Sequence, residues 1–205
     1  MTMVDKEERK NNILLGAFKL FLSKEYGDVV TADLEEATGV TRRAIYYKVK
    51  NKGGLYKAVI DRFIFDPMST SANRDISVSK ETPFWDFLVS ELELVGDRMN
   101  TIKRLNIDAT STQYFSLLTS ASFHYDGFKD KCKELEINIS KHWLNYYEKG
   151  ICAGELRKHT APQLVVSMFR SLYYGDAFCL SIIGGELDME ELKNKYSLLY
   201  NTIRL

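Results

Sequence analysis

Apolar positions recur at spacings of three and four along most of this chain, the period of helices that bury one face. In the first such stretch Ile13, Leu14, Ala17, Phe18 and Phe21 fall on one stripe, with Lys10, Lys19 and Lys24 outside it. Gly27 and Asp28 break the pattern. Thr31 then reads as the N-cap of a short helix, Ala32 to Thr38, whose Asp33, Glu35 and Glu36 suit a positive helix end. Gly39 stops that helix, and Thr41 caps a second short one, Arg42 to Lys48, after a tight turn. Asn51 caps a fourth helix, from Lys52 to about Phe65, and Asp66-Pro67 ends it. Met68 to Thr82, rich in Ser, Thr and Asn, reads as a loop and a domain boundary.

Beyond that boundary Thr82-Pro83 is a cap followed by proline at the first helical position. Phe84, Phe87, Leu88, Leu92, Val95 and Met99 supply the buried stripe of this helix. A shorter helix is expected over Thr112 to Phe123. A longer one, Phe128 to Cys152, carries Phe128, Cys132, Leu135, Ile139, His142 and Tyr146 on one face. From Pro162 to Ile183 two apolar stripes run side by side. One holds Val165, Met168, Leu172, Gly175, Cys179 and Ile182; the other holds Val166, Phe169, Tyr173, Leu180 and Ile183. After Gly184-Gly185 a last stripe follows at Met189, Leu192, Tyr196, Leu199 and Ile203. A helix apolar on two faces must be covered on both. Packing within the chain is one solution, but few elements remain to supply it, so a second subunit is the economical one. Met168, Leu172, Gly175, Cys179, Leu192, Tyr196 and Leu199 are the expected dimer interface.

The predicted class is therefore all-α, in keeping with only three prolines in 205 residues. Apolar content of 45% and charged content of 27% are ordinary for a globular protein. No stretch approaches 18 apolar residues and the start does not read as a signal peptide, so a cytoplasmic chain with no membrane partner is expected. Cys132, Cys152 and Cys179 are odd in number and far apart, which suggests buried reduced thiols. His124, His142 and His159 are scattered and lack metal-ligand spacing. Without a Gly-rich phosphate loop, a nucleophile elbow or a two-histidine metal motif, neither enzyme activity nor a metal or cofactor is expected.

Charge changes the picture at one place. The chain balances 28 basic against 28 acidic residues, yet Thr41 to Lys57 holds six basic side chains, three tyrosines and no acid. A solvated helix usually mixes signs, whereas one-signed charge interleaved with aromatics suits a phosphate backbone. Two short helices with a tight turn, the second basic, match a helix-turn-helix, whose second helix enters the major groove. Arg42 and Arg43, in its first turn, have the reach for bidentate contact with guanine. Tyr46 and Tyr47 offer hydroxyls to phosphate and flat faces to sugars or thymine methyls. Lys48, Lys50 and Lys52 would neutralise backbone charge. Thr31 and Lys52 each open a helix, and Thr41 caps one, at ends that favour phosphate.

The run TADLEEATGVTRRAIYYKVKNKGGLYKAV, Thr31 to Val59, resembles the DNA-binding domain of the TetR family of transcriptional regulators. The resemblance is close over Glu8 to Phe65, above all at Gly39-Val40-Thr41, Ile45-Tyr46, Val49-Lys50-Asn51-Lys52 and Leu55. Elsewhere it is one of plan, although GELRKHTAPQLVVSMFRSLYYG, from Gly154, is similar to the family's lead into its penultimate helix. It implies a helix-turn-helix DNA-binding domain over 1–65 and a helical effector-binding and dimerisation domain over 66–205. It implies phosphate contacts at Thr31, Tyr46 and Lys52, and base-facing roles for Arg42, Arg43 and Tyr47. The function implied is a homodimeric repressor that leaves a near-palindromic operator in double-stranded DNA when a small molecule binds. The alternative is a DNA-binding structural protein of the same fold without an effector. Tyr114, His142, Trp143 and Tyr173 are either core or the border of an effector pocket; Asp176 either lines that pocket or pairs with a base across the interface. Two residues depart from the family pattern. Glu35 replaces a small alanine, which alters the expected packing of the first short helix, and Arg43 replaces a small residue in the reading helix.

Overall fold

The computed structural model describes residues 3–105, 110–158 and 161–205, with the side chains at 3–6, 48, 102 and 104 outside the description, as is His159. Every element among them is helical: α1 (Met3–Ser23), α2 (Thr31–Thr38), α3 (Arg42–Val49), α4 (Lys52–Ile60), α5 (Asp66–Ala72), α6 (Pro83–Arg104), α7 (Ser111–His124), α8 (Phe128–Cys152), α9 (Pro162–Ile183) and α10 (Met189–Ile203). The all-α expectation stands. The chain divides into two compact units, residues 1–71 with 113–135, and residues 72–112 with 136–205.

In the first unit the α1 stripe behaves as its spacing predicts: Leu14, Ala17, Phe18 and Phe21 are buried, together with Leu34 of α2, Ile45 of α3 and Leu55 and Val59 of α4. Thr31 does not cap α2. It is the first residue of the helix, and the Asp33 carboxylate reaches back to the Val30 N–H at 3.0 Å. Pro67 does not end the helical path either. A π-helical turn over Asp61–Phe65, closed by the Asp66 N–H on the Asp61 carbonyl, precedes it, and α5 then runs through Pro67 to Ala72. Proline lacks a donor and its ring clashes with the carbonyl four residues back, and a π-turn relieves both by shifting the ladder one residue.

Residues 113–135 join this unit although they lie well beyond the expected boundary at 65. Three side chains account for it. Buried Tyr56 donates its hydroxyl to the Leu117 carbonyl at 3.1 Å, and Tyr26 stacks on His124 with ring centroids 4.2 Å apart. Asp61, in the π-turn, accepts from Tyr125 Oη at 2.7 Å, Lys57 Nζ at 3.0 Å and Lys131 Nζ at 2.5 Å. Burial pushes the Asp61 carboxyl up, but these three donors outweigh it and hold it below the usual carboxylate range.

The second unit is built around a carboxylate that no periodicity announces. Glu155 is buried, and its oxygens accept from the N–H groups of Phe84 and Trp85 and from Tyr200 Oη, each at 2.8 Å. It thereby caps the α6 N-terminus, where Pro83 at the first turn contributes no donor. The Leu205 N–H on the Glu155 carbonyl and the Arg157 N–H on the Ile203 carbonyl clip the chain end to the same spot. Around this anchor Phe84, Phe87, Leu88, Tyr146, Tyr147 and Phe169 form the core.

Leu192 and Tyr196 belong to that core too, which corrects their assignment to a dimer interface: the stripe of α10 faces its own subunit. Met168, Gly175 and Cys179 of α9 are exposed, while Leu172 and Leu199 are half-buried against the core. The thiols differ from expectation as well. Cys132 is half-buried, but Cys152 and Cys179 are exposed, because both lie on the outward faces of their helices.

Two measurements check this fold. Glu155→Ala strands three buried donors and should cost on the order of 3 kcal/mol in thermal unfolding, with Glu155→Gln costing less; an unchanged Tm in the alanine variant would refute the capping role. Asp61→Asn should be less stable than the wild type at neutral pH. Because the folded pKa of Asp61 is depressed, its contribution is complete above about pH 4, the unfolded value, and disappears as pH falls through the folded value. Melting curves of the two proteins should therefore converge in acid, and a gap independent of pH would contradict the electrostatic account.

Candidate nucleic-acid interface

The segment α2-turn-α3 is held in shape by its own sequence. Gly39, at φ 66°, ends α2 in the left-handed conformation that a side chain resists. Thr41 occupies the N-cap position of α3, but its hydroxyl makes no capping bond. Glu35 does so instead: its Oε1 accepts from the Arg42 N–H at 2.6 Å. The residue that departs from the family pattern thus fixes the start of α3. A carboxylate also suits that end of a helix.

The far end of α3 is fixed from α4. A Cβ at Gly54 would stand 2.0 Å from the Val49 carbonyl oxygen, so the end of α3 lies directly on the first turn of α4. Lys50 turns the chain there with φ 67° and ψ −43°, and the Asn51 N–H closes a γ-turn onto the Val49 carbonyl at 2.8 Å. This turn is rare and strained for a residue with a side chain, at about 1–3 kcal/mol. Asn51 caps α4 as expected, accepting from the Gly54 N–H at 2.8 Å.

Between these ends Arg42 and Arg43 are exposed in the first turn, Tyr47 is 81% exposed, and Lys50 is exposed on its strained turn. Tyr46 is half-buried and Ile45 buried, so α3 has an inner and an outer face. Thr31 is half-buried and Thr41 exposed; the Lys48 side chain lies outside the described residues. Lys52 departs from its expected role. Its ammonium donates to the carbonyls of Tyr26 at 2.8 Å and Val29 at 2.9 Å and lies over the Tyr26 ring. It ties α4 to the link between α1 and α2. Sequence pattern alone gives a lysine at a helix start no such partner, because both carbonyls lie more than twenty residues away.

The residues expected to border an effector pocket are divided between the two units. Tyr114 lies in the first unit and the other four in the second. Trp143 is buried in the core, edge-on to Phe87 at 4.9 Å, and His142 lies against the same ring at 5.5 Å. Burial, with Arg74 and Lys149 nearby, lowers the His142 pKa and keeps the ring neutral. Tyr173 is half-buried, and burial raises its pKa. Asp176 pairs with Lys195 of its own chain, both carboxylate oxygens 2.9 Å from the ammonium. A polar group that periodicity missed lies in this unit. Arg74 donates to Glu91 at 2.8 Å, and Arg170 forks onto both oxygens of Glu136. Glu91 and Arg98, seven residues apart, share one face of α6. Among the described residues no cluster could hold a metal ion, and no helix is long and apolar enough to cross a membrane.

Comparison with known proteins bears on both units. Residues 13–59 match the family of bacterial regulatory proteins, tetR family. A stretch of 48 residues is 46% identical to the HTH-type transcriptional repressor ComR of Escherichia coli (strain K12), and covers 23% of this chain and 23% of that one. The fold extends further than the sequence similarity. A TetR-family regulator from Cytophaga hutchinsonii superposes with a TM-score of 0.69 over 100% of this chain and 98% of its own, at 18% identity. SmeT in its triclosan complex does so with a TM-score of 0.67 over 97% and 92%, at 14% identity. Over residues 13–59 the chain thus resembles the tetR family of bacterial regulatory proteins, and its fold as a whole is that of solved TetR-family regulators.

Proposed function

We propose that this protein is a homodimeric transcriptional repressor that reads a near-palindromic operator with α3 and is released from it by a small molecule. The observation that carries the reading is the outer face of α3. Arg42, Arg43 and Tyr47 stand exposed together on a helix pinned at both ends. Such pinning matters because a side chain reads base edges only from a fixed helix position. The arginines would take guanine O6 and N7 and Tyr47 a thymine methyl. Thr31, Thr41, Tyr46, Lys48 and Lys50 would take phosphates. Lys52 would contribute its backbone N–H at the start of α4, since its ammonium is already engaged.

The dimer in this reading uses the outer face of α9. Leu164, Met168, Phe178 and Ile182 are exposed apolar residues at helical spacing with Gly175 among them, and Leu198 is exposed on α10. A second copy meeting this face by two-fold symmetry would bury it and set two α3 helices about one helical turn apart. SmeT was solved with triclosan, and a ligand-responsive role for the second unit here is proposed by analogy with that complex. Acting on DNA, the protein would work in the cytoplasm.

Four outcomes test the proposal. Arg42→Ala and Arg43→Ala should each cost about 1–3 kcal/mol on the selected operator and relax one base position per half-site. Lys50→Gly should relieve the strained turn and raise Tm, while weakening binding to every sequence and reducing the salt slope by about one. Equal, sequence-independent losses in all three variants would contradict the division between reading and anchoring. Phe178→Glu should leave the subunit folded but monomeric in sedimentation and unable to hold a two-fold operator; an intact dimer would overturn the α9 assignment. A ligand coupling of about 1–3 kcal/mol should lower operator affinity roughly 5–150-fold, and operator should weaken ligand binding equally.

A further inference from the structure

The first N–H of α3 is held by a carboxylate from another helix. Glu35, on α2, accepts from the Arg42 N–H at 2.6 Å through Oε1. It is half-buried and forms no ion pair among the described residues, so Oε2 remains able to accept a further hydrogen bond. Capping alone does not call for this residue. Thr41 already stands at the N-cap position, where threonine is a preferred cap, yet its hydroxyl makes no capping bond. Glu35 thus brings a carboxylate to a helix whose exposed first turn is Arg42 and Arg43. The stretch Thr41 to Lys57 holds no acid of its own.

A carboxylate turned toward DNA is repelled by every phosphate, so it is useful there only against a donor on a base edge. The major groove offers few such donors. Guanine presents acceptors alone, thymine an acceptor and a methyl group, and adenine a donor beside an acceptor. Cytosine presents a donor, its N4 amino group, with no acceptor beside it. An acceptor-only side chain at the leading end of a reading helix therefore selects cytosine and rejects guanine and thymine.

We propose that Glu35 is a specificity-determining residue of the operator site. Oε1 stays on the Arg42 N–H, and Oε2 accepts from N4 of a cytosine in the major groove, at a base pair other than those read by Arg42 and Arg43. This rests on the reading of α3 as the helix that enters the groove, because its N-terminal residues then lie against base edges. The N–H that Glu35 holds belongs to the first of those residues. Glu35→Gln isolates the reading role from the capping one. Its amide keeps an oxygen for the Arg42 N–H and replaces the other acceptor by an NH2 donor, so the base preference should reverse while the helix keeps its cap.

The experiment selects bound DNA from a random pool with the full-length wild type, Glu35→Gln, Arg42→Ala and Arg43→Ala. The wild type should prefer cytosine at one position per half-site by about 5–150-fold. Glu35→Gln should favour guanine or thymine at that position and leave the positions lost in the arginine variants intact. A second measurement needs no variant. Methylation at N4 of each operator cytosine in turn keeps the base pair but blocks the donor that faces the groove, and at one cytosine per half-site it should weaken the wild type by a similar factor. A wild-type motif that Glu35→Gln leaves unchanged, or affinity indifferent to every N4 methyl group, would overturn the proposal and leave α3 as the reading helix. So would loss at the same positions as Arg42→Ala or Arg43→Ala, which would show that Glu35 acts only by placing the arginines. Recovery of no enriched sequence by the wild type would overturn both this proposal and the reading beneath it.

Discussion

The Lys52 ammonium, bonded to the carbonyls of Tyr26 and Val29, fixes the geometry on which the exposed face of α3, the surface proposed to read DNA, depends. It ties the first turn of α4 to the link between α1 and α2. Gly54 then seats the end of α3 on that same turn, because nothing larger fits against the Val49 carbonyl. Glu35 holds the other end of α3 by its first N–H. Helix α3 is only eight residues long, too short to be stable alone, and these tertiary ties supply what propensity does not. Its exposed arginines are thus presented from a rigid scaffold, and the strain at Lys50 is sustained by the same anchors.

Much of this was legible in the sequence, for a reason that periodicity makes plain. Helices whose burial is one-sided announce themselves: Phe84, Phe87, Leu88 and Leu92 repeat at the period of α6, and the expected α8 and α9 spans coincide with the observed Phe128–Cys152 and Pro162–Ile183. The stretch Thr41–Lys57 was visible because its charge is one-signed in a neutral chain. Periodicity fails where a face is covered from both sides or where a polar group is the anchor. The α10 stripe looked like an interface because pattern shows that Leu192 and Tyr196 are covered, and not by what. Glu155 and Asp61 were missed because anchoring carboxylates carry no periodic signal; apart from Lys57, four residues from Asp61, their partners lie 45 to 71 residues away. Pro67 misled because a π-turn, which no local rule predicts, lets the helix pass it.

The two units use polar anchors in the same way. In the first, half-buried Asp61 is matched by three donors and half-buried Lys52 by two carbonyls, so each charge has its complement and adds rigidity. In the second, buried Glu155 is matched in the same manner by three donors. Polar networks that are fully paired in this way define structure.

The claim that α3 reads operator sequence in a two-fold assembly is tested most directly by selecting bound DNA from a random pool with the wild-type protein. The account predicts an enriched inverted repeat, with guanines in each half-site and half-site centres about one helical turn, or a multiple of it, apart. Recovery of DNA with no enriched sequence, or of a motif without two-fold symmetry, would contradict it.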